Sequence, residues 1–334
     1  MSRKSIKRNL SFFLVGIILA AAYAGYTFQQ KLKPTPPGSP QLIRIAKRTP
    51  TSTVMSLLED KGIIRSAAAT GFYARWKKWP ALIQDGAYRV APGMTGDQLI
   101  RALQERIEIK VTVPEYFWVA RTAKLMASKN VADAQEYIDQ AGKPAEFKGD
   151  VDFPLPSKSL EGYLFPDTYL IEPEAGAHAV IRQQLKTFEK RVWDGLNHPK
   201  NLGRAIIIAS IVEREAKLDS ERPMVAGVIE NRLAKGMPLE MDATVLYAQQ
   251  NWHEPTGSDI RNTISPYNTY KNKGLPPGPI CSPGLKSIKA ALNPSRHNYL
   301  YYVALPNGKS LFSSTLEQHN ANINKRRAAL RALK

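Results

Sequence analysis

Cysteine and histidine are scarce in this sequence, which limits the disulfides and metal sites that the chain can form. Among 334 residues there is a single cysteine, Cys281, which excludes a disulfide framework and a thiolate metal cluster within one chain. The five histidines have no tight ligand spacing, so neither a metal site nor a cofactor is expected. A Gly-x-Ser-x-Gly motif and a P-loop are also missing. The histidines are His178, His198, His253, His297 and His319.

Acidic residues are absent from the first fifty positions, which hold nine Lys or Arg, half of the formal net charge of +18. The remaining charge is spread thinly. Because it forms no arginine-rich helix and no aromatic-basic strand pattern, nucleic acid is not an expected partner. A diffuse positive surface instead fits an anionic cell wall or lipid headgroups. The nine residues are Arg3, Lys4, Lys7, Arg8, Lys31, Lys33, Arg44, Lys47 and Arg48.

Residues 9–28 contain no charged side chain and are long enough to cross a bilayer as a helix. Basic residues are dense in 1–8, which predicts a cytoplasmic tail and export of the rest. A cleaved signal peptide is the alternative, since LAAAYAG offers small residues. The stretch is longer than a usual signal core, so a retained anchor is favoured. The Pro-rich segment 29–41 is predicted to be a stiff spacer.

Two domains are expected beyond this spacer, and both mix helices with short strands. Residues 42–110 predict a strand, two helices, a strand and a further helix, an order that resembles a LysM-like carbohydrate-binding module. Residues 111–334 predict a larger domain with no regular βαβ repeat, so the fold class is α+β. Its last strands form a hairpin that turns at Asn307-Gly308. Its predicted helices cover 116–128, 132–141, 176–194, 203–218, 221–235 and 315–331.

Two glutamates, Glu213 and Glu215, end an apolar stretch that predicts a buried helix. Glu213 has Lys217 four residues on, in the favourable acid-before-base order, so the two are expected to pair at the surface. Glu215 has no cation within one turn and shares a face with Ile208. An unpaired carboxyl among aliphatic side chains is costly to ionise, so we expect a raised pKa and a group able to donate a proton. Alternatively, both glutamates are solvated.

A second helix follows closely, with Ser220 as predicted N-cap, Pro223 in its first turn and Gly236 at its end. The corner between the two helices brings Glu215 to a position where a cleft can open.

Four blocks of the sequence, in order, resemble one known family. They are EGYLFPDTY (161–169), ASIVEREAKLDSERPMVAGVIENRLAKGMPLEMDATVLYA (209–248), YNTYKNKGLPPGPICSPG (267–284) and LFSSTLEQHN (311–320). The chain is similar in these blocks to the endolytic murein transglycosylases, the MltG or YceG-like family. It departs from the family pattern at Tyr116, where Gly is usual, and at Ala243, where Pro is common.

The resemblance implies a single-pass enzyme of the inner membrane, with its catalytic domain outside the cytoplasm. It would cleave nascent peptidoglycan strands between N-acetylmuramic acid and N-acetylglucosamine, leave 1,6-anhydro ends and so terminate elongation. The family's catalytic glutamate falls on Glu215, which the pairing argument also selects. Wall synthases are implied as neighbours. Two alternatives stay open: a hydrolytic muramidase with a second carboxylate, and a non-catalytic scaffold that binds the wall.

Seven further residues in these blocks are predicted to bind substrate or shape the site. Glu161 and Asp242 are candidates for a second acid facing Glu215, and the rings and amide of YNTY (267–270) suit stacking on sugars and bonding to their hydroxyls. Cys281 has no activating pattern around it and is expected to be a packed thiol. The seven residues are Glu161, Tyr163, Asp167, Asp242, Tyr267, Asn268 and Tyr270.

Overall fold

The computed structural model describes residues 3–252 and 256–332, so Met1, Ser2 and His253 lie outside the described residues. Two compact units divide the chain between Glu108 and Ile109, and each is described by itself. Helices mixed with antiparallel two-stranded sheets make the fold α+β, as the sequence predicts.

The first unit contains a long amino-terminal helix and a small mixed domain. Helix α1 includes Phe13–Leu32, a stretch long and apolar enough to cross a membrane as an anchor or a signal sequence. Strands β1 and β2 pair antiparallel, with Ile43 opposite Tyr88. The strand-helix-helix-strand order is the predicted one. The elements are α1 (Arg3–Leu32), β1 (Gln41–Ile45), α2 (Thr51–Asp60), α3 (Ala67–Trp76), β2 (Gly86–Val90) and α4 (Gly96–Ala102).

The Pro-rich segment 29–41, predicted to be a stiff spacer, is bonded to the small domain. Its first residues continue α1 as far as Leu32. The Thr35 hydroxyl then donates to the Ile63 carbonyl over 2.9 Å and accepts from the Gly93 amide over 3.0 Å. Because side chain and backbone of the segment are bonded to the small domain, it is a docked part of that domain.

The second unit has one large core that includes α8 and its neighbours. Antiparallel pairs join β3 to β4 and β5 to β6, and Gly308 in the β5–β6 turn has a φ of 85°, which confirms the predicted hairpin. The elements are β3 (Ile109–Thr112), α5 (Val119–Ser128), α6 (Ala134–Ala141), β4 (Thr168–Ile171), α7 (Ala177–Phe188), α8 (Leu202–Glu215), α9 (Arg222–Ala234), α10 (Asp242–Gln249), α11 (Gly257–Asn262), α12 (Leu285–Leu292), β5 (Tyr301–Ala304), β6 (Ser310–Ser313) and α13 (Leu316–Ala332).

Helix α8 is buried because its apolar residues cover most of its circumference. Ser210 is the one polar residue in the apolar run 205–212 of this helix. Its hydroxyl accepts a hydrogen bond from the Ile280 amide of the Gly/Pro-rich loop over 3.0 Å. The Cys281 thiol is also buried, 3.3 Å from the Ser210 carbonyl oxygen, and burial raises its pKa, so the prediction of a packed thiol is confirmed. The loop is thereby fixed against the helix that ends in Glu215.

The corner after α8 differs from its prediction. Helix α8 stops at Glu215, and a 3₁₀ turn, Asp219–Glu221, leads into α9. Ser220 lies inside this turn, and Glu221 is the residue before the helix, so the predicted Ser220 cap is wrong. Pro223 does lie in the first turn of α9, and Gly236 follows its end with a φ of 62°, as predicted.

Candidate active site

Glu215, the last residue of α8, lies beside two other elements, β5 and α10. The Tyr302 hydroxyl of β5 donates to its Oε2 over 2.9 Å, and the Ala243 amide in the first turn of α10 also bonds to its carboxylate. Burial raises the pKa of Glu215; the Asp242 charge adds to this, while the two hydrogen bonds and the Arg214 charge oppose it. The residue remains partly exposed. The site therefore holds a carboxyl whose pKa is raised, which confirms the predicted direction of the pKa shift.

Glu213 is engaged differently from its prediction. Its side chain is only 6% exposed and pairs with Arg222 over 3.0 Å, and its Oε2 accepts from the Gly284 amide over 2.9 Å. The predicted surface pair with Lys217 is wrong, because α8 ends at Glu215 and Lys217 is not on the helix. Residues two apart on a helix point to nearly opposite sides, since each residue turns it by about 100°. The Glu213 carboxylate thus stabilises the corner after α8, and the Glu215 carboxyl lies in the candidate active site.

Asp242 and Tyr270 extend the surroundings of Glu215. The Tyr270 hydroxyl donates to Asp242 Oδ1 over 2.7 Å. Burial raises the pKa of Tyr270, and the charges of Asp242 and Glu215 contribute to this. Asp242 begins α10, beside the amide that bonds to Glu215. The structure therefore brings Glu215, Asp242 and Tyr270 together, and all three residues are partly exposed.

Asn268 and Tyr267 shape the loop that carries Tyr270. Asn268 is completely buried: its amide group donates to the carbonyls of Ile260 and Thr263, both over 2.9 Å, and its Oδ1 accepts from the Tyr270 amide over 3.1 Å. The Tyr267 ring packs on Tyr247 with centroids 4.9 Å apart. The predicted residue Asn268 thus lies inside the protein, at a position that orients Tyr270.

The block 161–169 contributes mainly interior contacts. Glu161 is 4% exposed and accepts from the Val119 amide at the start of α5 and from the Tyr247 hydroxyl, over 3.0 and 3.2 Å. Tyr163 is also 4% exposed and packs against Phe188, with centroids 5.2 Å apart. Both predicted residues lie inside the protein rather than at a surface that a glycan can reach.

Asp167 lies at a groove apart from these core contacts. It bonds to the Thr168 amide over 2.7 Å and pairs with Arg191 over 3.5 Å. The same groove is lined by Glu213 and Arg222. Asp167 is therefore placed on the Glu213 side of α8, and its predicted contact with substrate stays a prediction.

Tyr302 is the site residue that the sequence did not single out. Its signal was present in the predicted hairpin, because alternate residues of a strand face the same side. Tyr302 and Ala304 of β5 therefore share one face, and Tyr301 and Val303 share the other. The sequence did not show which face meets the end of α8, so Tyr302 could not be chosen over Tyr301.

Burial raises the pKa of Glu161 from 4.5 to about 7, and three hydrogen bonds limit the shift. Between these two pH values the unfolded chain has lost a proton that the folded chain keeps, so stability falls as pH rises. We expect this group to remove about 3 kcal/mol of unfolding free energy between pH 4.5 and 7. Glu161→Gln should lack this pH-dependent loss of unfolding free energy. Chemical unfolding of wild type and Glu161→Gln at pH 5 and at pH 7.5 provides the measurement. Equal pH dependence in the two would contradict the assignment.

The comparisons with known proteins agree with this architecture. Residues 43–325 match the model of the YceG-like family. The chain is 32% identical to an endolytic murein transglycosylase of Bacillus subtilis, over 83% of this chain and 82% of that protein. It is 29% identical to one of Streptococcus pneumoniae, over 95% of this chain but 65% of the relative. A solved YceG-like protein of Listeria monocytogenes is 31% identical, with a TM-score of 0.56, over 85% of this chain and 99% of that one.

A mixed α+β fold with a glutamate of raised pKa at a helix end is typical of a protein that transfers protons. The similarity to the two transglycosylases indicates more specifically that the protein is an enzyme. The chain belongs to the YceG-like family.

Proposed function

We propose that the protein is a membrane-anchored lytic transglycosylase of peptidoglycan. It cleaves nascent strands between N-acetylmuramic acid and N-acetylglucosamine and leaves 1,6-anhydro ends. The observation that carries the proposal is Glu215, a partly exposed residue at the end of α8 whose carboxyl has a pKa raised by burial. The names of the relatives from Bacillus subtilis and Streptococcus pneumoniae support the substrate class.

Glu215 serves as acid and then as base in the proposed mechanism. Its proton passes to the glycosidic oxygen as the bond from C1 to that oxygen breaks. The C6 hydroxyl of the same muramic acid attacks C1, and its proton returns to the Glu215 carboxylate. The carboxyl is regenerated, no water is consumed, and the anhydro ring closes. In the interval between the two transfers, the Tyr302 hydroxyl and the Ala243 amide stabilise the carboxylate by hydrogen bonds.

A hydrolytic muramidase is the second candidate, because Asp242 lies close enough to Glu215 to raise its pKa. Inverting and retaining hydrolases need such a second carboxylate, either to activate water or to attack C1. The Tyr270 hydroxyl donates to Asp242 Oδ1, which occupies this oxygen and favours a role in orienting substrate. We therefore assign Asp242 and Tyr270 to substrate positioning.

Digestion of purified peptidoglycan by the full-length chain in detergent, followed by mass spectrometry, separates these cases. The transglycosylase yields anhydro ends, which are lighter by one water than the reducing ends of a hydrolase. Reducing ends would establish the muramidase instead. Absence of cleavage, with binding retained, would establish the scaffold and refute the enzyme mechanism.

The amino-terminal part of the proposal concerns location. We infer that α1 remains as a single-pass anchor in the inner membrane, with the basic residues in the cytoplasm and the catalytic unit outside. There the enzyme acts on strands as neighbouring wall synthases release them. The small strand-helix-helix-strand domain is proposed as a LysM-like module that holds glycan. Detection of the intact amino terminus in membrane-bound protein tests the anchor, and a mature chain that starts within or beyond 19–25 would contradict it.

Tyr302→Phe probes the hydrogen bond to Glu215. The bond lowers the pKa of Glu215 against the larger effect of burial, so its loss should raise that pKa further. Because the reaction starts from the protonated acid, the alkaline limb of the kcat/KM profile should move to higher pH. The pH profiles of wild type and Tyr302→Phe provide the measurement, with Tyr301→Phe on the other face of β5 as the control. A limb that stays in place, or moves to lower pH, would contradict the role of Tyr302.

A further inference from the structure

Two arginines near Glu215 have no acidic partner within the part of the chain that the structure describes. Arg222 and Arg232 of the same unit form ion pairs with glutamates, whereas Arg121 and Arg214 form none. The Nε of Arg214 is buried and has no hydrogen-bond partner there. A buried donor without a partner is costly, and an incoming acceptor removes that cost.

Aromatic rings hold both guanidinium groups. The Arg214 Cζ lies 3.5 Å from the centroid of Trp252, and the Arg121 Cζ lies 4.2 Å from that of Phe117. A guanidinium stacked on a ring keeps its N–H donors in the plane, free to meet a planar anion. Stacking therefore fixes these groups before any ligand arrives.

Tyr116 lies between the two cations. Its ring centroid is 5.8 Å from the Arg121 Cζ and 5.6 Å from the Arg214 Cζ. Burial lowers the pKa of Arg214, and the charge of Arg121 adds to this, so the two cations are close enough to repel. The nearby Glu215 charge offsets part of this repulsion, but neither arginine forms an ion pair among the described residues, and a bound anion would provide one.

The backbone of Tyr116 supports a role for this cluster. Its φ is 63°, in the left-handed region that favours glycine and costs other residues about 1–2 kcal/mol. Its amide donates to the Ser282 carbonyl over 3.1 Å, and the residue is 38% exposed. A strained backbone thus places the aromatic ring of Tyr116 between two arginines. Backbone strain of this kind concentrates at functional sites.

We propose that Tyr116, Arg121 and Arg214 bind a carboxylate of the peptide carried by the glycan strand. The inference rests on the proposed function. Arg214 directly precedes Glu215, so a peptide held here belongs to the sugars beside the scissile bond. Stem peptides of peptidoglycan carry free carboxylates, and the planar fork of arginine matches a carboxylate with two parallel hydrogen bonds. The site would make the enzyme prefer strands with peptides over stripped glycan.

The test compares kcat/KM of the full-length chain on three substrates: peptide-bearing strands, the same strands with carboxylates amidated, and strands stripped of peptide. Wild type should favour the first over the other two by about 10-fold or more, as a charge-assisted pair of hydrogen bonds provides. In Arg121→Gln and Arg214→Gln this ratio should fall several-fold, and in the double variant it should approach one. Arg326→Gln, an exposed arginine on α13, is the matched control and should keep the ratio.

The possible results distinguish failure of the carboxylate-binding inference from failure of the proposed function. Equal rates of wild type on all three substrates would overturn the inference and leave the proposed function standing. Variants that lose activity equally on all substrates would also overturn it, since a structural or purely electrostatic effect on Glu215 acts on every substrate alike. A preference for peptide that survives amidation would overturn the carboxylate assignment. Failure of wild type to cleave any substrate would instead count against the proposed function.

Discussion

Glu215→Gln is expected to lower kcat by about 10³-fold or more, to the limit of detection. The substitution keeps the shape of the side chain but removes the proton donor, and general acid-base catalysis alone contributes roughly 10²–10⁴-fold. The loss should be larger than for one step, because the same carboxyl delivers the first proton and receives the second. Release of anhydro-ended fragments from peptidoglycan by the purified full-length chain provides the measurement.

Binding and folding should survive in this variant. Glutamine still accepts the hydrogen bonds of Tyr302 and the Ala243 amide through its carbonyl oxygen. Its unfolding temperature should not fall, because a raised pKa means that the charged carboxylate gained little from its surroundings. Glu317→Gln, an exposed glutamate on α13, is the control and should retain wild-type activity. Residual cleavage by Glu215→Gln above one tenth of the wild-type rate would rule out Glu215 as the proton donor.

Sequence patterns predict helix α8 well because its signal is strong. An apolar run of eight residues with one serine is too long for an ordinary strand and contains no helix breaker. Sequence patterns failed at α10, which is not among the predicted helices. Thr244, Val245 and Tyr247 favour strands by propensity, yet Ala243 to Leu246 are buried in succession and the segment is helical. Burial in the core outweighed local propensity here.

The roles of the two glutamates show where sequence reasoning ends. The sequence correctly predicted that Glu215 has no ion pair, as is the case among the described residues. It did not predict the partner of Glu213, which is Arg222. The i, i+4 rule assumes that the helix continues, whereas α8 stops before Lys217 and the chain returns Arg222 to Glu213 from nine residues away. Likewise, Glu161 and Asn268 were grouped with substrate-binding residues because they lie in motif blocks. Only the packing reveals that their polar atoms bond to the backbone of the protein itself.

Arg222→Met should cost about 3–5 kcal/mol of unfolding free energy, because it leaves the Glu213 carboxylate buried without its partner. The two side chains are 13% and 6% exposed. Arg222 also bonds to Asp219 over 3.0 Å and to the Ser287 hydroxyl of α12, so it joins α9 to two other elements. Chemical denaturation of the full-length chain, with the slope of the transition checked for constancy, measures the loss.

The surface pair of Arg204 with Glu230 supplies the matched control. These side chains are 47% and 28% exposed, and exposed ion pairs contribute roughly 0–1 kcal/mol, so Arg204→Met should fall in that range. Adding Glu213→Gln to Arg222→Met should recover part of the loss, because a neutral amide still accepts the Gly284 amide without leaving a buried charge. If Arg222→Met cost no more than Arg204→Met, the Glu213–Arg222 pair would not hold the corner that positions Glu215.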